Sequence, residues 1–202
     1  MEVRKQQGQD FDGTDDYIDL GDLHNDVDLF ASAGNPWTVT SVFKASEQTG
    51  TIIARAGGTG GNRTFQSYFQ STSNRAPSIY LRGELNDFDW GYDDNQHHLL
   101  TVTWDGTDAN MYGDGGTDSS ALNVGAASEE TTENIIIGAR TGGTAVFFNG
   151  IQDEVRISST ARSAAWIAAT YDSLWDTLLT YGSEETAGAG EATNVLFIFS
   201  LY

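Results

Sequence analysis

Apolar and polar residues alternate along short runs of this chain, and that alternation limits what it can fold into. From 37 to 44, Trp37, Val39 and Phe43 stand against Thr38, Thr40 and Lys44, the period of a strand with one buried and one wet face. Similar runs recur at 17–20, 51–54, 65–69, 78–82, 99–104, 109–112, 134–138 and 151–157, separated by Gly, Asn, Asp, Ser and Thr. Many short strands punctuated by turn residues predict an all-β sandwich or barrel, because each apolar strand face must be covered by a second layer. The 23 glycines and two prolines agree. Asp12-Gly13, Asp105-Gly106, Asp114-Gly115 and Asn149-Gly150 lie between apolar runs and supply the positive φ of hairpin turns. Helical spacing is convincing only from Ser163 to about Asp172. There Ser163 can cap a helix carrying Ala164, Trp166, Ile167, Ala168 and Tyr171, which is expected to close one end of the sandwich.

With 202 residues, 39% of them hydrophobic, the chain can bury one substantial core. Ten Lys+Arg against 29 Asp+Glu give a formal net charge of −19, which repels phosphate backbones and excludes sequence-independent nucleic-acid binding. The absence of cysteine removes disulfides, thiolate nucleophiles and Cys-ligated metal sites. No run approaches the ~20 apolar residues of a membrane-spanning helix, so membrane insertion is not expected. The first seven residues lack the apolar stretch of a secretory signal, so export is expected either after signal removal or by another route such as assembly into a virus particle. One domain is predicted over 1–182, followed by a small, polar linker or loop at 183–194. Residues 195–202 are apolar on both strand faces and must be covered on both, by their own sandwich or by a neighbouring chain in a homo-oligomer.

Three blocks carry a family resemblance. The first is Phe11-Asp12-Gly13-Thr14-Asp15-Asp16-Tyr17-Ile18-Asp19-Leu20-Gly21 with Trp37-Thr38-Val39 after it; the second is His97-His98-Leu99-Leu100-Thr101-Val102-Thr103-Trp104-Asp105-Gly106 with Met111-Tyr112-Gly113-Asp114-Gly115. The third is Phe148-Asn149-Gly150-Ile151-Gln152-Asp153-Glu154-Val155-Arg156-Ile157, running into Thr160-Ala161-Arg162-Ser163 and the helix. In this order they resemble the concanavalin A-like, laminin-G-like jelly-roll domains, in their bacterial, archaeal and viral branch. The resemblance implies a β-sandwich of two antiparallel sheets with one short C-terminal helix. It also implies a domain that binds more often than it catalyses, sometimes with a structural calcium. Two positions depart from the family pattern: Gln96 stands where an aromatic usually precedes the paired histidines, and Gly113 replaces an apolar strand residue. The strand that usually precedes the first block is lacking, a vacancy that 195–202 is expected to fill.

Residue types that could carry chemistry occur at several points in the chain. Glycosidases of this fold place acids at Glu-x-Asp-x-(x)-Glu; here Asp153 and Glu154 are adjacent, point to opposite strand faces and have no third acid after them, so a glycoside hydrolase is the least favoured reading. Alternation places Asp153 on the same face as Val155 and Ile157 and therefore towards the interior, where a carboxylate needs a partner. That partner is a backbone amide, an arginine, or a Ca2+ ion shared with Asp12, Asp15 and Asp16. His97 and His98, being adjacent, cannot chelate one ion from a strand, and no nucleophile with a spaced base accompanies them or His24. The glycine-rich stretch at 56–63 lacks the Gly-Lys-Ser/Thr of a phosphate loop and fits a hairpin tip.

A further candidate is the stretch from 84 to 95, where aromatics alternate with acids and amides. Asp87, Phe88, Asp89, Trp90, Tyr92 and Asn95 could hold a glycan, with Phe88, Trp90 and Tyr92 sharing one face; the plainer reading makes those rings core and the acids solvated. The favoured function is a non-enzymatic recognition and assembly module on a virion exterior, held by protein partners in a capsid. The alternative is a carbohydrate-binding module of a secreted or cell-surface protein, with Trp90 and Tyr92 exposed.

Overall fold

A computed structural model of the chain describes residues 8–21, 35–45, 50–56, 63–69, 76–81, 84–88, 91–122, 133–140, 146–175 and 177. The expected linker at 183–194, the run at 195–202, His24, Asp89 and Trp90 lie outside them. The strands are β1 (Gln9–Asp12), β2 (Ile18–Asp19), β3 (Trp37–Ala45), β4 (Gly50–Ala56), β5 (Arg63–Phe69) and β6 (Pro77–Leu81). They continue with β7 (Glu84–Asp87), β8 (His97–Trp104), β9 (Ala109–Gly113), β10 (Gly116–Leu122), β11 (Ile136–Ile137) and β12 (Asn149–Ser158), and one helix follows, α1 (Ala164–Leu174).

The strands form two six-stranded antiparallel sheets, ordered β1-β12-β3-β8-β9-β10 and β2-β11-β4-β5-β6-β7. This is the all-β sandwich that the alternation predicts. Strands β1, β7 and β10 go beyond it, being polar or short. Asn149-Gly150 is not a turn: it opens β12, where the pair faces Asp12 and Phe11 of β1. Asp114-Gly115 does turn, with φ of 48° and 80°, the two positive values of a tight hairpin joining β9 to β10.

The alternation sorts side chains into faces. In β3 the core takes Trp37, Val39, Phe43 and Ala45, and the second sheet supplies Phe65, Phe69, Ile79 and Leu81. Rings meet edge to face across the layers, Trp37 with Phe65 at 5.4 Å and Phe43 with Phe69 at 5.6 Å. Each fully buried ring contributes roughly 1.5–3 kcal/mol from leaving water.

The outer face of the first sheet is buried as well, and it is rich in threonine. Thr38, Thr40, Val42, Leu99, Thr101 and Thr103 are all at or below 3% exposure. The Thr40 and Thr101 hydroxyls meet at 3.2 Å. Helix α1 and the residues before it lie against this face, not at one end of the sandwich. Thr38 Oγ1 donates to Thr160 O and accepts the Arg162 N–H, while the Tyr171 side chain packs on Gly115.

Candidate functional site

The second sheet carries the more unusual surface. Because Phe65, Phe69, Ile79 and Leu81 enter the core, Gln66, Tyr68, Ser78 and Tyr80 project from the opposite face. Strand register sets Thr51, Tyr68, Ser78 and Asp87 side by side across β4 to β7, with Ala54, Gln66, Tyr80 and Leu85 in the next row. A sheet face turned away from the core ordinarily meets water. Here Thr51, Gln66, Tyr68 and Ser78 are buried, whereas Asp87 and Leu85 are exposed.

Polar groups withdrawn from water cost free energy unless they are bonded. Gln66 Nε2 donates to Thr51 Oγ1 at 3.1 Å, and Ser78 Oγ donates to Asp87 Oδ1 at 2.5 Å. Gln66 Oε1 is buried with no hydrogen-bond partner among the described residues. The face therefore combines hydroxyls, a buried amide with an unbonded oxygen, an exposed carboxylate and two tyrosines.

Of the residues expected to hold a glycan, Asp87 lies on this face. Phe88 and Tyr92 do not: they are 2% and 5% exposed and belong to the core, which corrects the expectation that their rings are offered to a ligand. Strand β7 ends at Asp87, so the alternation stops there. Phe88 N–H donates to Pro77 O at 2.9 Å, and the Phe88 and Tyr92 rings meet edge to face at 5.9 Å. The Tyr92 hydroxyl donates to Asp118 Oδ2 at 2.7 Å over Gly113, where a Cβ would lie 1.7 Å from it. The family departure at Gly113 is thus the space that Tyr92 fills. Asn95 is exposed at φ 65°, and its N–H is bonded to Ala45 O.

The acids expected to share Ca2+ do not converge. Asp12 Oδ1 accepts the Thr14 N–H at 2.8 Å and Asp16 Oδ2 accepts the Asp12 N–H at 3.0 Å, closing their own loop, while Asp15 is exposed. Asp153 does not face the interior, because the pairing of β12 with β3 slips between Gln152 and Glu154. The extra residue of this bulge is Asp153, which is exposed, while Gln152 turns inward and donates to Ile52 O at 3.1 Å. Asp12 pairs with Asn149, which leaves Asp153 four residues further along β12, roughly 13 Å away. Among the described residues no group of three or more His, Asp or Glu side chains is placed to hold one ion. Glu154 is bonded to Arg156 at 2.7 Å, so it and Asp153 do not form a facing pair of acids.

His97 and His98 do point to opposite faces, paired with Lys44 and Phe43 respectively. His97 is half-buried; burial, followed by the charge of Lys44, pushes its pKa below the ordinary value. Thr51, Gln66, Tyr68, Ser78 and Tyr80 were not singled out from the sequence. Their signal was present in the polar positions of the runs at 65–69 and 78–82, but sequence alone does not say that these positions line up across strands.

The family model described as the concanavalin A-like lectin/glucanases superfamily matches residues 12–168. Among solved structures, the CBM40 of the Ruminococcus gnavus IT-sialidase aligns with TM-score 0.64 at 16% identity, covering 82% of this chain and 96% of that one. Trypanosoma rangeli sialidase in complex with 2,3-difluorosialic acid aligns with TM-score 0.63 at 15% identity, covering 86% of this chain; the chain spans 28% of the sialidase's length. The heptameric SAP-like pentraxin of Limulus polyphemus aligns with TM-score 0.57 at 14% identity, over 80% of each chain. At such identities the likeness shows the fold. No match to the sequence was found among curated proteins.

Proposed function

The chain belongs to the concanavalin A-like lectin/glucanases superfamily, and from that premise we propose that it is a non-enzymatic carbohydrate-binding module whose ligand lies on the outer face of the second sheet. The observation that carries the reading is the exposed Asp87 at one end of a cross-strand row, with the partly exposed Tyr80 in the next row, over a buried polar floor of Thr51, Gln66 and Ser78. Sugar hydroxyls donate to the Asp87 carboxylate, while the CH faces of a pyranose pack on a ring such as Tyr80. A similar use of the fold supports this, since the Ruminococcus gnavus CBM40 is known in a form bound to alpha2,3 sialyllactose. On this reading the protein works outside a cell or at a surface. Among the described residues no helix is long and apolar enough to cross a membrane.

The assembly role on a virion exterior rests on the run at 195–202, which lies outside the described residues, and no structural observation favours it over glycan recognition. A glycan array probed with the intact protein, in calcium and again in EDTA, tests the proposal. We expect specific binding that falls at least about tenfold in Tyr80→Ala and Asp87→Ala, each checked for folding by circular dichroism. Silence on every glycan, or binding that both variants retain, would overturn the assignment. Loss of binding in EDTA would show that the glycan site needs a metal ion.

A further inference from the structure

A groove of about 470 Å³ runs on the other side of the sandwich, between β12 and the start of α1. Thr38, Thr40, Arg156, Ser158, Arg162 and Trp166 line it, together with parts of Val155 and Ile157, and among the described residues no acidic side chain lines it. In a chain with 29 Asp+Glu and ten Lys+Arg, two arginines in one groove, with no lining carboxylate among the described residues, make a local exception to the charge of the whole. A smaller hollow of about 200 Å³, also lined by Arg156 and Trp166, extends it along the helix.

The arginines are held in place. Thr38 Oγ1 accepts the Arg162 N–H at 2.9 Å, and the Arg162 guanidinium stacks on the Trp166 ring at 4.9 Å. Its Nε is buried without a hydrogen-bond partner, and the side chain makes no ion pair among the described residues. Arg156 gives Nε and Nη2 to Glu154 Oε1, which uses one edge of its guanidinium and leaves Nη1. The first turn of α1 has no acidic residue to offset the positive end of the helix dipole.

We propose that this groove is a second ligand site, taking a carboxylate-bearing pyranose (a uronic acid) whose carboxylate lies between Arg156 and Arg162. Guanidinium groups recognise carboxylates through charge-assisted, paired hydrogen bonds. The Ser158 hydroxyl suits the sugar's hydroxyls, and Trp166 gives the ring an apolar wall. The volume lies within the range of small-ligand sites. The site is on the sheet opposite the proposed glycan face and does not depend on that assignment.

D-glucuronate, with D-glucose as the uncharged control, tests the site by calorimetry and by the indole resonance of Trp166 in NMR spectra. We expect saturable glucuronate binding that shifts the Trp166 signal, is absent with glucose, and weakens about tenfold or more in Arg156→Gln and in Arg162→Lys. The lysine variant keeps charge and stem over Trp166, so it preserves the fold while losing the forked donor. No saturation by glucuronate would overturn the proposal. So would binding that both arginine variants retain, or binding that Tyr80→Ala abolishes, which would place the sugar acid on the other face.

Discussion

His98 Nδ1 lies 2.8 Å from Asp114 Oδ2, while the other oxygen of that carboxylate accepts the Leu99 N–H at 2.9 Å. The second ring nitrogen, Nε2, is 2.9 Å from Asp94 Oδ1. An imidazole can donate from both nitrogens only as the cation. One charged ring therefore ties the 91–96 loop to the turn between β9 and β10, with the Tyr92 ring edge to face against it at 4.9 Å.

This clamp makes stability depend on pH. Burial opposes the charge on His98, but hydrogen bonds and charge from Asp114 and Asp94 outweigh it and raise the pKa above the ordinary 6.5. A raised folded value means that the contribution is full below about pH 6.5 and is lost as pH rises through the folded pKa. Asp94, held below its ordinary value by the His98 hydrogen bond, has the opposite sign: its contribution is lost only as pH falls through its lowered pKa. His97, with its pKa pushed down, has the opposite sign and a lower window: stability rises as pH climbs from its lowered pKa to about 6.5. The difference between proteins isolates the clamp: between about pH 6 and pH 9, Tm should fall more in the wild type than in His98→Asn. Parallel curves for the two proteins would refute it.

Gly113 and Tyr92 act as one unit. A Cβ at position 113 would lie 1.7 Å from the Tyr92 oxygen and 2.6 Å from its Cζ, so the ring must leave. Gly113→Ala should cost about 1–3 kcal/mol, the range for overpacking a core. Tyr92→Phe keeps the ring but removes the bond to Asp118, at about 1–2 kcal/mol. Chemical denaturation of the two variants and their combination checks this, and the double variant should cost less than the sum because the two changes meet at one place.

What the sequence showed and what it hid follow from these contacts. The sandwich was legible because period-two alternation survives in β3, β5 and β8, where one face must be apolar. The helix was legible because Ser163 caps it, its Oγ accepting the Trp166 N–H at 3.3 Å. Asp153 was misplaced because one extra residue in β12 inverts every side chain beyond it, and a bulge leaves no mark in composition. Tyr92 was misplaced because the strand before it stops at Asp87, after which alternation says nothing about direction. The polar rows of the second sheet were hidden since they depend on register between strands.

The bulge predicts a sharp contrast between neighbours. Asp153→Ala should change stability by no more than about 0.5 kcal/mol, as expected of an exposed position. Gln152→Ala removes a buried amide whose Nε2 reaches Ile52 O across the sandwich, and should cost about 1–3 kcal/mol. A larger loss in Asp153→Ala than in Gln152→Ala under urea denaturation would mean that Asp153, and not Gln152, holds the interior position.

Thr38 joins the core strand β3 to the helix and the arginine groove, which makes it the most informative single position. Its hydroxyl donates to Thr160 O at 2.7 Å and accepts the Arg162 N–H at 2.9 Å, so two main-chain groups just before Ser163 depend on it. Thr38→Val keeps the branched shape on a buried strand but leaves both groups unpaired, a loss of about 1–3 kcal/mol. Ser163→Ala removes only the helix cap and should cost about 1 kcal/mol. Hydrogen exchange separates the two. Thr38→Val should speed exchange at Arg162 and through the first turn of α1, whereas Ser163→Ala should speed it at Trp166 and leave Arg162 protected. If Arg162 stays protected in Thr38→Val, the side chain of Thr38 is not what anchors the groove.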